Sequence, residues 1–318
     1  MQFPLELTQG LEALLDGVPR KELAVAAKDM SIGYRSGATS RPITTPLQAI
    51  AYAVARMPAT FAACAASFAR LAQVMPSFSP QSLLDAGAGT GAASWAAVTQ
   101  WPGIAAVTML DRNPALAALA RRLADAGPLM NAEILSGDLG VQKPCADLVV
   151  ASYVLVELSE DRVASVAQDL WQSVNGALAL VEPGTPDGFA RVRAARAALI
   201  AAGAHVAAPC THDRECPLQE DDWCHFSQRL PRSRDHMLLK EAAVPFEDER
   251  YSYVIVTQER VAKGARIPDS RILAPPLETK PGLTFKLCDE TGLHASFVAT
   301  RDKEEYRRVR KLGWGDLF

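Results

Sequence analysis

A glycine-rich turn at residues 83–91 constrains the fold of this chain more than any other segment. Its sequence is Leu83-Leu84-Asp85-Ala86-Gly87-Ala88-Gly89-Thr90-Gly91. The apolar residues before the turn predict a buried strand, and the alanine-rich residues after it predict a helix. Glycines let the backbone turn sharply and approach a ligand that a Cβ atom would hold away. The pattern therefore indicates the first strand–turn–helix unit of a nucleotide-binding α/β domain.

The acidic residue before the turn favours one class of nucleotide. Asp85 would repel the anionic pyrophosphate of a dinucleotide, whereas S-adenosylmethionine presents a cationic sulfonium and an α-ammonium group. The glycine spacing is GxGxG, which differs from the GxGxxG that is typical of dinucleotide binding. We therefore predict S-adenosylmethionine as the cofactor, and NAD is a remoter alternative. The motif could also be a tight structural turn that binds no ligand. The predicted contacts from this turn are Asp85, Gly87, Ala88, Gly89 and Gly91.

Strands and helices alternate downstream of the turn. The predicted strands are residues 82–86, 105–110, 132–135, 148–152 and 177–181. This alternation predicts a parallel, doubly wound, Rossmann-like sheet whose strand C-termini share one edge. Asp111, Asp138 and Tyr153 follow the second, third and fourth strands, so we predict that they line the cofactor site. Asp111 is placed to accept hydrogen bonds from ribose hydroxyls, and Asp138 from the adenine amino group.

Composition and periodicity divide the chain into four parts. An N-terminal helical domain, with a helix break predicted at Pro58, precedes the cofactor-binding core. A polar, cysteine-rich segment and a small C-terminal β region follow, and a strand at 250–258 is expected to join the sheet of the core. The four parts are residues 1–79, 80–204, 205–249 and 259–318.

The charge balance and the N-terminal residues limit the classes of partner and location. A net charge of −3 argues against a wholly basic nucleic-acid coat protein. Residues 1–17 contain acids and lack a basic region followed by an apolar stretch, so we predict neither a secretory signal nor a transit peptide. No run is predicted to reach membrane-spanning length, so we expect no membrane contact. We therefore predict a cytoplasmic protein, in which cysteines are thiols or metal ligands rather than disulfides.

Four cysteines in the second half of the chain predict a metal centre. Cys210, Cys216 and Cys224 have the spacing C-x5-C-x7-C, and Cys288 lies far downstream. The segment is too polar to be a packed core, and four thiolates favour either Zn²⁺ or an iron–sulfur cluster. The spacing differs from the short C-x2-C knuckles of zinc fingers. His212 and His225 are alternative ligands for a mixed zinc site.

Short motifs spread over nearly the whole chain resemble one protein family. These motifs are Arg56-Met57-Pro58-Ala59-Thr60, the glycine turn, Val181-Glu182-Pro183-Gly184-Thr185-Pro186-Asp187-Gly188-Phe189, Ala208-Pro209-Cys210, Cys216-Pro217-Leu218, Asp222-Trp223-Cys224-His225-Phe226, Arg232-Ser233, Lys240, Tyr251-Ser252-Tyr253 and Trp314-Gly315-Asp316. Together they resemble the methyltransferase-like proteins of the ribosomal small subunit, found in bacteria and as assembly factors of the mitochondrial small subunit. The resemblance implies a class I methyltransferase fold with a [4Fe-4S] cluster on Cys210, Cys216, Cys224 and Cys288.

The resemblance implies the small ribosomal subunit or its rRNA as partner and leaves catalysis open. Many nucleic-acid amino methyltransferases carry an Asn/Asp-Pro-Pro-aromatic motif after the fourth strand. This chain reads Ala151-Ser152-Tyr153-Val154-Leu155 there, so no catalytic residue is predicted. Two hypotheses follow, which are a methyltransferase acting on small-subunit rRNA and a non-catalytic assembly factor that retains the fold. A zinc-containing methyltransferase on another substrate is a remoter alternative.

Three groups of basic residues are candidates for RNA contacts. Phosphate binding would explain such groups, and Tyr306 or Trp314 could stack on bases. Solvated helix faces with internal ion pairs explain them equally well. The groups are Arg191, Arg193 and Arg196; Arg229, Arg232, Arg234 and Lys240; and Arg307, Arg308, Arg310 and Lys311.

Overall fold

An eight-stranded sheet forms the centre of the fold in the computed structural model of the protein. The structure describes residues 3–35, 43–125, 127–140, 143–219, 221–258 and 270–318. Within these ranges, the helices are α1 (Leu5–Leu14), α2 (Arg20–Arg35), α3 (Pro46–Val74), α4 (Ala92–Gln100), α5 (Pro114–Ala124), α6 (Glu160–Trp171), α7 (Pro186–Ala201), α8 (Arg234–Leu239) and α9 (Lys303–Val309). The strands are β1 (Ser82–Ala86), β2 (Ala106–Asp111), β3 (Glu133–Ser136), β4 (Ala146–Ser152), β5 (Val174–Pro183), β6 (His205–Ala208), β7 (Phe226–Pro231), β8 (Phe246–Thr257), β9 (Arg271–Ile272), β10 (Leu277–Thr279), β11 (Gly282–Asp289) and β12 (Gly292–Ala299).

The strand order of the large sheet is β3-β2-β1-β4-β5-β8-β6, and β7 also pairs with β8. Strands β1 to β5 are parallel, whereas β8 runs antiparallel to β5, β6 and β7. The order reverses direction between β1 and β4, which is where doubly wound sheets bind their ligands. The Rossmann-like, class I methyltransferase fold predicted from the alternating pattern is confirmed.

Helices cover both faces of the large sheet because each central strand buries side chains on both sides. Leu83 packs with α1 to α5 on one face, and its neighbour Leu84 packs with α6 and α7 on the other. Successive strand residues point to opposite faces, so near-continuous apolar runs such as residues 148–151 suit a sheet buried on both sides. Residues of α1 to α3 belong to the same core as β1 and β2, and of these helices α3 packs against strands β5 to β8.

Helix α3 is continuous through Pro58, which corrects the helix break predicted there. Met57 and Phe61 are buried on either side of Pro58, so packing of both halves in one core outweighs the lost backbone hydrogen bond. The unbroken helix has 29 residues, and within the described part of the chain it alone is long and apolar enough to cross a membrane. This contradicts the expectation that no run reaches that length. However, 78% of its most apolar window is buried inside the fold, as in a core helix.

A second, four-stranded sheet of β9 to β12 carries α9 and the C-terminal residues. Its own core is small and, among the residues that the structure describes, consists of six buried side chains, which are Ile272, Leu283, Phe285, Leu287, Val298 and Val309. Polar contacts join this sheet to the rest of the molecule. The Arg70 Nη2 atom on α3 lies 2.8 Å from the Asp316 Oδ1 atom, and the Arg271 guanidinium donates to the Pro209 carbonyl oxygen.

We predict that Gly188→Ala destabilises the fold, although alanine is the better helix former. Gly188 lies in the first turn of α7, where a Cβ atom would sit 2.1 Å from the Pro183 carbonyl oxygen at the end of β5. Relieving this clash requires the helix to move, so we expect a loss of about 1–3 kcal/mol in the free energy of unfolding. Chemical denaturation measures the loss. Gly140→Ala, where an added Cβ meets nothing within 4 Å, is the control, and equal stability of the two variants would contradict the prediction.

Candidate functional site

A cleft of about 800 Å³ opens where β1, β2, β3 and β4 end. This volume lies within the range of about 300–1,000 Å³ that is typical of small-molecule sites. Five of the eight predicted cofactor contacts line the cleft, namely Gly87, Gly89, Asp111, Asp138 and Tyr153. The sheet brings them together because parallel strands with right-handed crossovers end at one edge.

The glycine turn forms the floor of the cleft. Gly87 and Gly89 have positive φ angles of 78° and 57°, a conformation that favours glycine. The Gly89 amide donates to the Asp111 Oδ2 atom at 2.7 Å, and the Asn113 amide donates to Asp111 Oδ1 at 2.7 Å. Burial raises the pKa of Asp111, and these two amides oppose that shift. Asp111 therefore braces the turn, and its remaining lone pairs can accept further hydrogen bonds from a ligand.

Asp85 lies beneath the turn rather than on the cleft. It is fully buried, and its Oδ2 atom accepts hydrogen bonds from the Ser94 amide at 3.0 Å and the Ser94 hydroxyl at 2.7 Å. Its Oδ1 atom has no hydrogen-bond partner among the described residues. Burial raises the pKa of Asp85 from its ordinary value of 3.8 to about 7. Ala88 and Gly91 also lie behind the cleft, and Gly91 begins α4 with a φ of 83°.

The segment after β4 forms the wall opposite the turn. Tyr153 has a positive φ of 58°, which is uncommon for a bulky residue, and its hydroxyl donates to the Glu249 Oε1 atom at 2.7 Å. Burial and the neighbouring Glu249 carboxylate raise the pKa of Tyr153, so the phenol remains protonated. A Cβ atom on Gly87 would lie 2.4 Å from a methyl group of Val154, so the turn and this wall are in contact.

Glu182 at the end of β5 holds this wall, and the sequence analysis missed that role. Its two carboxylate oxygens accept hydrogen bonds from three successive backbone amides, those of Val154, Leu155 and Val156, at 2.8–3.2 Å. Burial raises the pKa of Glu182 to about 8, and the three amides oppose that shift. The sequence signal for this role is a single acidic residue near the end of a mostly apolar strand.

The four cysteines of the predicted metal centre line a single cavity, although Cys288 comes from the C-terminal sheet. His212 also lines this cavity, and its Nε2 atom lies 3.9 Å from the Cys288 sulfur. His225 does not line it, because its ring packs between Trp223 and Trp314. Burial raises the pKa values of the Cys216, Cys224 and Cys288 thiols, that of Cys288 to about 12, and the neighbouring cysteines raise them further.

The cavity brings together the kinds of side chain that a four-thiolate centre requires. Arg193, Arg196 and Arg271 line the same cavity. Their positive charges would offset the negative charge of metal-bound thiolates. In the described part of the chain, no three His, Cys, Asp or Glu side chains are close enough together to hold a single metal ion. The four thiols thus line one cavity without converging on a single point. The buried Thr211 hydroxyl and Arg196 Nε atom lack hydrogen-bond partners among the described residues.

Comparison with known proteins identifies the family of this chain. Residues 46–318 match the family described as mitochondrial small ribosomal subunit Rsm22. The chain belongs to the Rsm22 family. This confirms the resemblance drawn from the short motifs.

Two relatives and one solved structure illustrate the similarity of this Rsm22-family chain. The human protein named ribosome assembly protein METTL17, mitochondrial, is 30% identical over 296 residues, covering 85% of this chain and 62% of the relative. The Rsm22-cox11 tandem protein 2, mitochondrial, of Schizosaccharomyces pombe is 27% identical over 353 residues, covering 94% and 46%. The chain thus spans about half of the relatives' lengths. The magnesium protoporphyrin IX methyltransferase of Synechocystis PCC 6803 is 13% identical with a TM-score of 0.44, covering 75% and 99%.

The predicted cytoplasmic location is wrong by these comparisons. The Rsm22 family and all three curated relatives are described as mitochondrial. The prediction relied on the composition of residues 1–17, which lie outside the region that matches the family. The composition of that segment therefore gives no information about the cellular location of the family members.

Most basic residues proposed for RNA contact have partners inside this Rsm22-family chain. Arg191, Arg193 and Arg196 on α7 donate to backbone carbonyl oxygens of neighbouring loops. The ion pairs are Arg229–Asp248, Arg232–Glu247, Lys240–Glu247 and Arg308–Glu305. These seven residues have acidic or carbonyl partners within the chain, as the explanation by internal pairing expects.

We predict that Asp85→Asn stabilises the protein increasingly as the pH rises. An asparagine oxygen can keep both hydrogen bonds from Ser94 without burying a charge. Between its ordinary pKa of 3.8 and about 7, the folded wild type keeps a proton that the unfolded chain has released. The wild type therefore loses stability as the pH rises through this window, whereas the variant does not. Thermal unfolding from about pH 4 to pH 8 measures this, and parallel curves would contradict the prediction.

Proposed function

We propose that this Rsm22-family chain binds S-adenosylmethionine in the cleft and acts in the assembly of the small ribosomal subunit. The observation that carries the cofactor proposal is the pairing of the glycine turn with Asp111 at the point where the strand order reverses. Nucleotide cofactors of doubly wound folds bind at this point. The name of the human relative, a ribosome assembly protein, supports the second half of the proposal.

Each side of the cleft suits one part of the cofactor. Asp111 accepts hydrogen bonds from the ribose hydroxyls while it braces the turn, and Asp138 accepts from the adenine amino group. An added Cβ on Gly89 meets nothing within 4 Å, so the open space beside this glycine admits the methionine portion. Tyr153 packs against the cofactor from the wall after β4. Asp85, Ala88 and Gly91 act indirectly, by supporting the turn.

The wall after β4 favours a binding role over methyl transfer. The Tyr153 hydroxyl already donates its hydrogen bond to Glu249. The Asn/Asp-Pro-Pro-aromatic motif of amino methyltransferases is missing from the sequence after β4. The backbone amides after Tyr153 are held by Glu182. The amide or carboxylate oxygen that this motif supplies to the amino group of a base is therefore missing from this part of the wall. We therefore propose an assembly factor that retains the methyltransferase fold, with methyl transfer to rRNA as the outcome to be tested against it.

We also propose that Cys210, Cys216, Cys224 and Cys288 hold a [4Fe-4S] cluster, with zinc as the alternative. The cavity that these cysteines share supports the proposal. When bound, the centre supplies a cross-link between the segment before β7 and the end of β11. Because ligands from both segments are needed, metal binding is linked to folding of this region.

We predict that Gly89→Asn lowers affinity for S-adenosylmethionine at least about tenfold, since the new side chain occupies the cleft. Asparagine tolerates positive φ better than other non-glycine residues, so the fold is retained. Gly17→Asn is the matched control, because Gly17 has a φ of 72° and open space around it, away from the cleft. Calorimetric titration measures the affinities. Wild-type affinity in Gly89→Asn would contradict this placement of the cofactor.

The same variants test the role in assembly. In a deletion strain, small-subunit precursors are expected to accumulate, and wild type and Gly17→Asn are expected to restore mature subunits better than Gly89→Asn. Methyl transfer is measured with labelled cofactor on rRNA and on immature particles from that strain. Cofactor binding without transfer supports the assembly role, whereas turnover on either substrate would replace it with an rRNA methyltransferase. Normal levels of the small subunit in the deletion strain would contradict both the assembly role and the rRNA methyltransferase role.

A further inference from the structure

Two arginine side chains are buried at the cysteine cavity without a carboxylate partner. Arg196 on α7 is 5% exposed and Arg271 on β9 is 2% exposed, and both line the cavity. Neither takes part in an ion pair within the described part of the chain. The arginines that do are Arg20, Arg70, Arg112, Arg191, Arg229, Arg232 and Arg308.

The hydrogen bonds of these two arginines go to neutral carbonyl groups. The Arg196 Nη2 atom donates to the His212 oxygen at 2.7 Å, and its Nε atom has no partner among the described residues. The Arg271 Nε and Nη1 atoms donate to the Pro209 and Gly315 oxygens at 2.7 and 2.9 Å. Carbonyl oxygens satisfy the geometry of a guanidinium, but they leave its positive charge uncompensated.

The two arginines contact the segments that carry the cysteines. Arg271 is the direct antiparallel partner of Cys288 in the pairing of β9 with β11. Direct partners of this kind have Cβ atoms about 4.5–5.5 Å apart on the same face of the sheet. Arg271 also donates to the Pro209 oxygen, next to Cys210 in the chain. Arg196 donates to His212, which lies between Cys210 and Cys216 in the chain and has its Nε2 atom 3.9 Å from the Cys288 sulfur. Each guanidinium therefore adjoins both the clustered cysteines and the distant one.

The charge balance of the cavity explains why these arginines are there. A guanidinium does not lose its proton in proteins, and burying it without an anion is costly. Four thiolates around a divalent centre, either Zn²⁺ or [4Fe-4S]²⁺, carry two net negative charges. We propose that Arg196 and Arg271 are the counter-charges of the four-thiolate centre, so that they retain it and set its reduction potential. This inference rests on the metal centre proposed above.

The experiment uses the full chain, purified anaerobically with its metal, and compares three variants with wild type. Arg196→Gln removes the charge, and Arg196→Lys keeps it. Arg191→Gln is the matched control, because Arg191 lies on the same helix and contacts the Leu155 and Leu158 oxygens instead of the cavity. The readouts are metal per chain, the rate of metal release to a chelator and, for an iron–sulfur cluster, the midpoint potential.

We expect Arg196→Gln to release its metal several-fold faster and to have a more negative midpoint potential, because a lost positive charge disfavours electron gain. Arg196→Lys and Arg191→Gln are expected to remain near wild type. Equal behaviour of Arg196→Gln and Arg196→Lys would overturn the inference, because the hydrogen bond rather than the charge would then matter. Wild-type behaviour of Arg196→Gln would overturn it while leaving the metal centre in place. A wild-type protein without iron or zinc would overturn both the metal centre and this inference.

Discussion

The cavity that Cys288 shares with Cys210, Cys216 and Cys224 is the place where the C-terminal sheet meets the cysteine-bearing segment, and the proposals made above depend on it. The C-terminal sheet has a core of only six buried residues and joins the methyltransferase fold through polar contacts such as Arg70–Asp316 and Lys286–Asp222. Exposed and half-buried ion pairs contribute little stability, and the apolar contacts of Leu273 and Trp314 with the main core add to them. A centre bound by cysteines from both parts would fix the sheet in place, because its binding free energy becomes folding free energy.

Helix α7 connects the two candidate sites. Its Arg191 donates to the carbonyl oxygens of Leu155 and Leu158 beside the cofactor cleft, and its Arg196 donates to His212 beside the cysteine cavity. The helix begins directly after β5, whose Glu182 holds the wall of the cleft. One rigid element thus supports both the cleft and the cysteine loop.

Local signals in the sequence were enough to predict the sheet, the glycine turn and the position of Asp111. Strand patterning and turn chemistry depend on neighbouring residues, which the sequence displays directly. The prediction of a helix break at Pro58 is wrong because burial on both sides of the proline keeps the helix continuous. Burial depends on the whole fold, which the local sequence does not display. The roles of Glu182 and Glu249 were missed for the same reason. Their partners are distant in sequence, so no local pattern reveals them.

The most direct test of this account is the metal content of anaerobically purified wild type and Cys288→Ser. Cys145→Ser is the control, because Cys145 is exposed and lies outside the cavity. The account predicts iron with sulfide, or zinc, in wild type and Cys145→Ser, and loss of that metal in Cys288→Ser. Wild-type metal content in Cys288→Ser, together with its loss in Cys216→Ser, would show that the distant cysteine is not a ligand and would contradict the account.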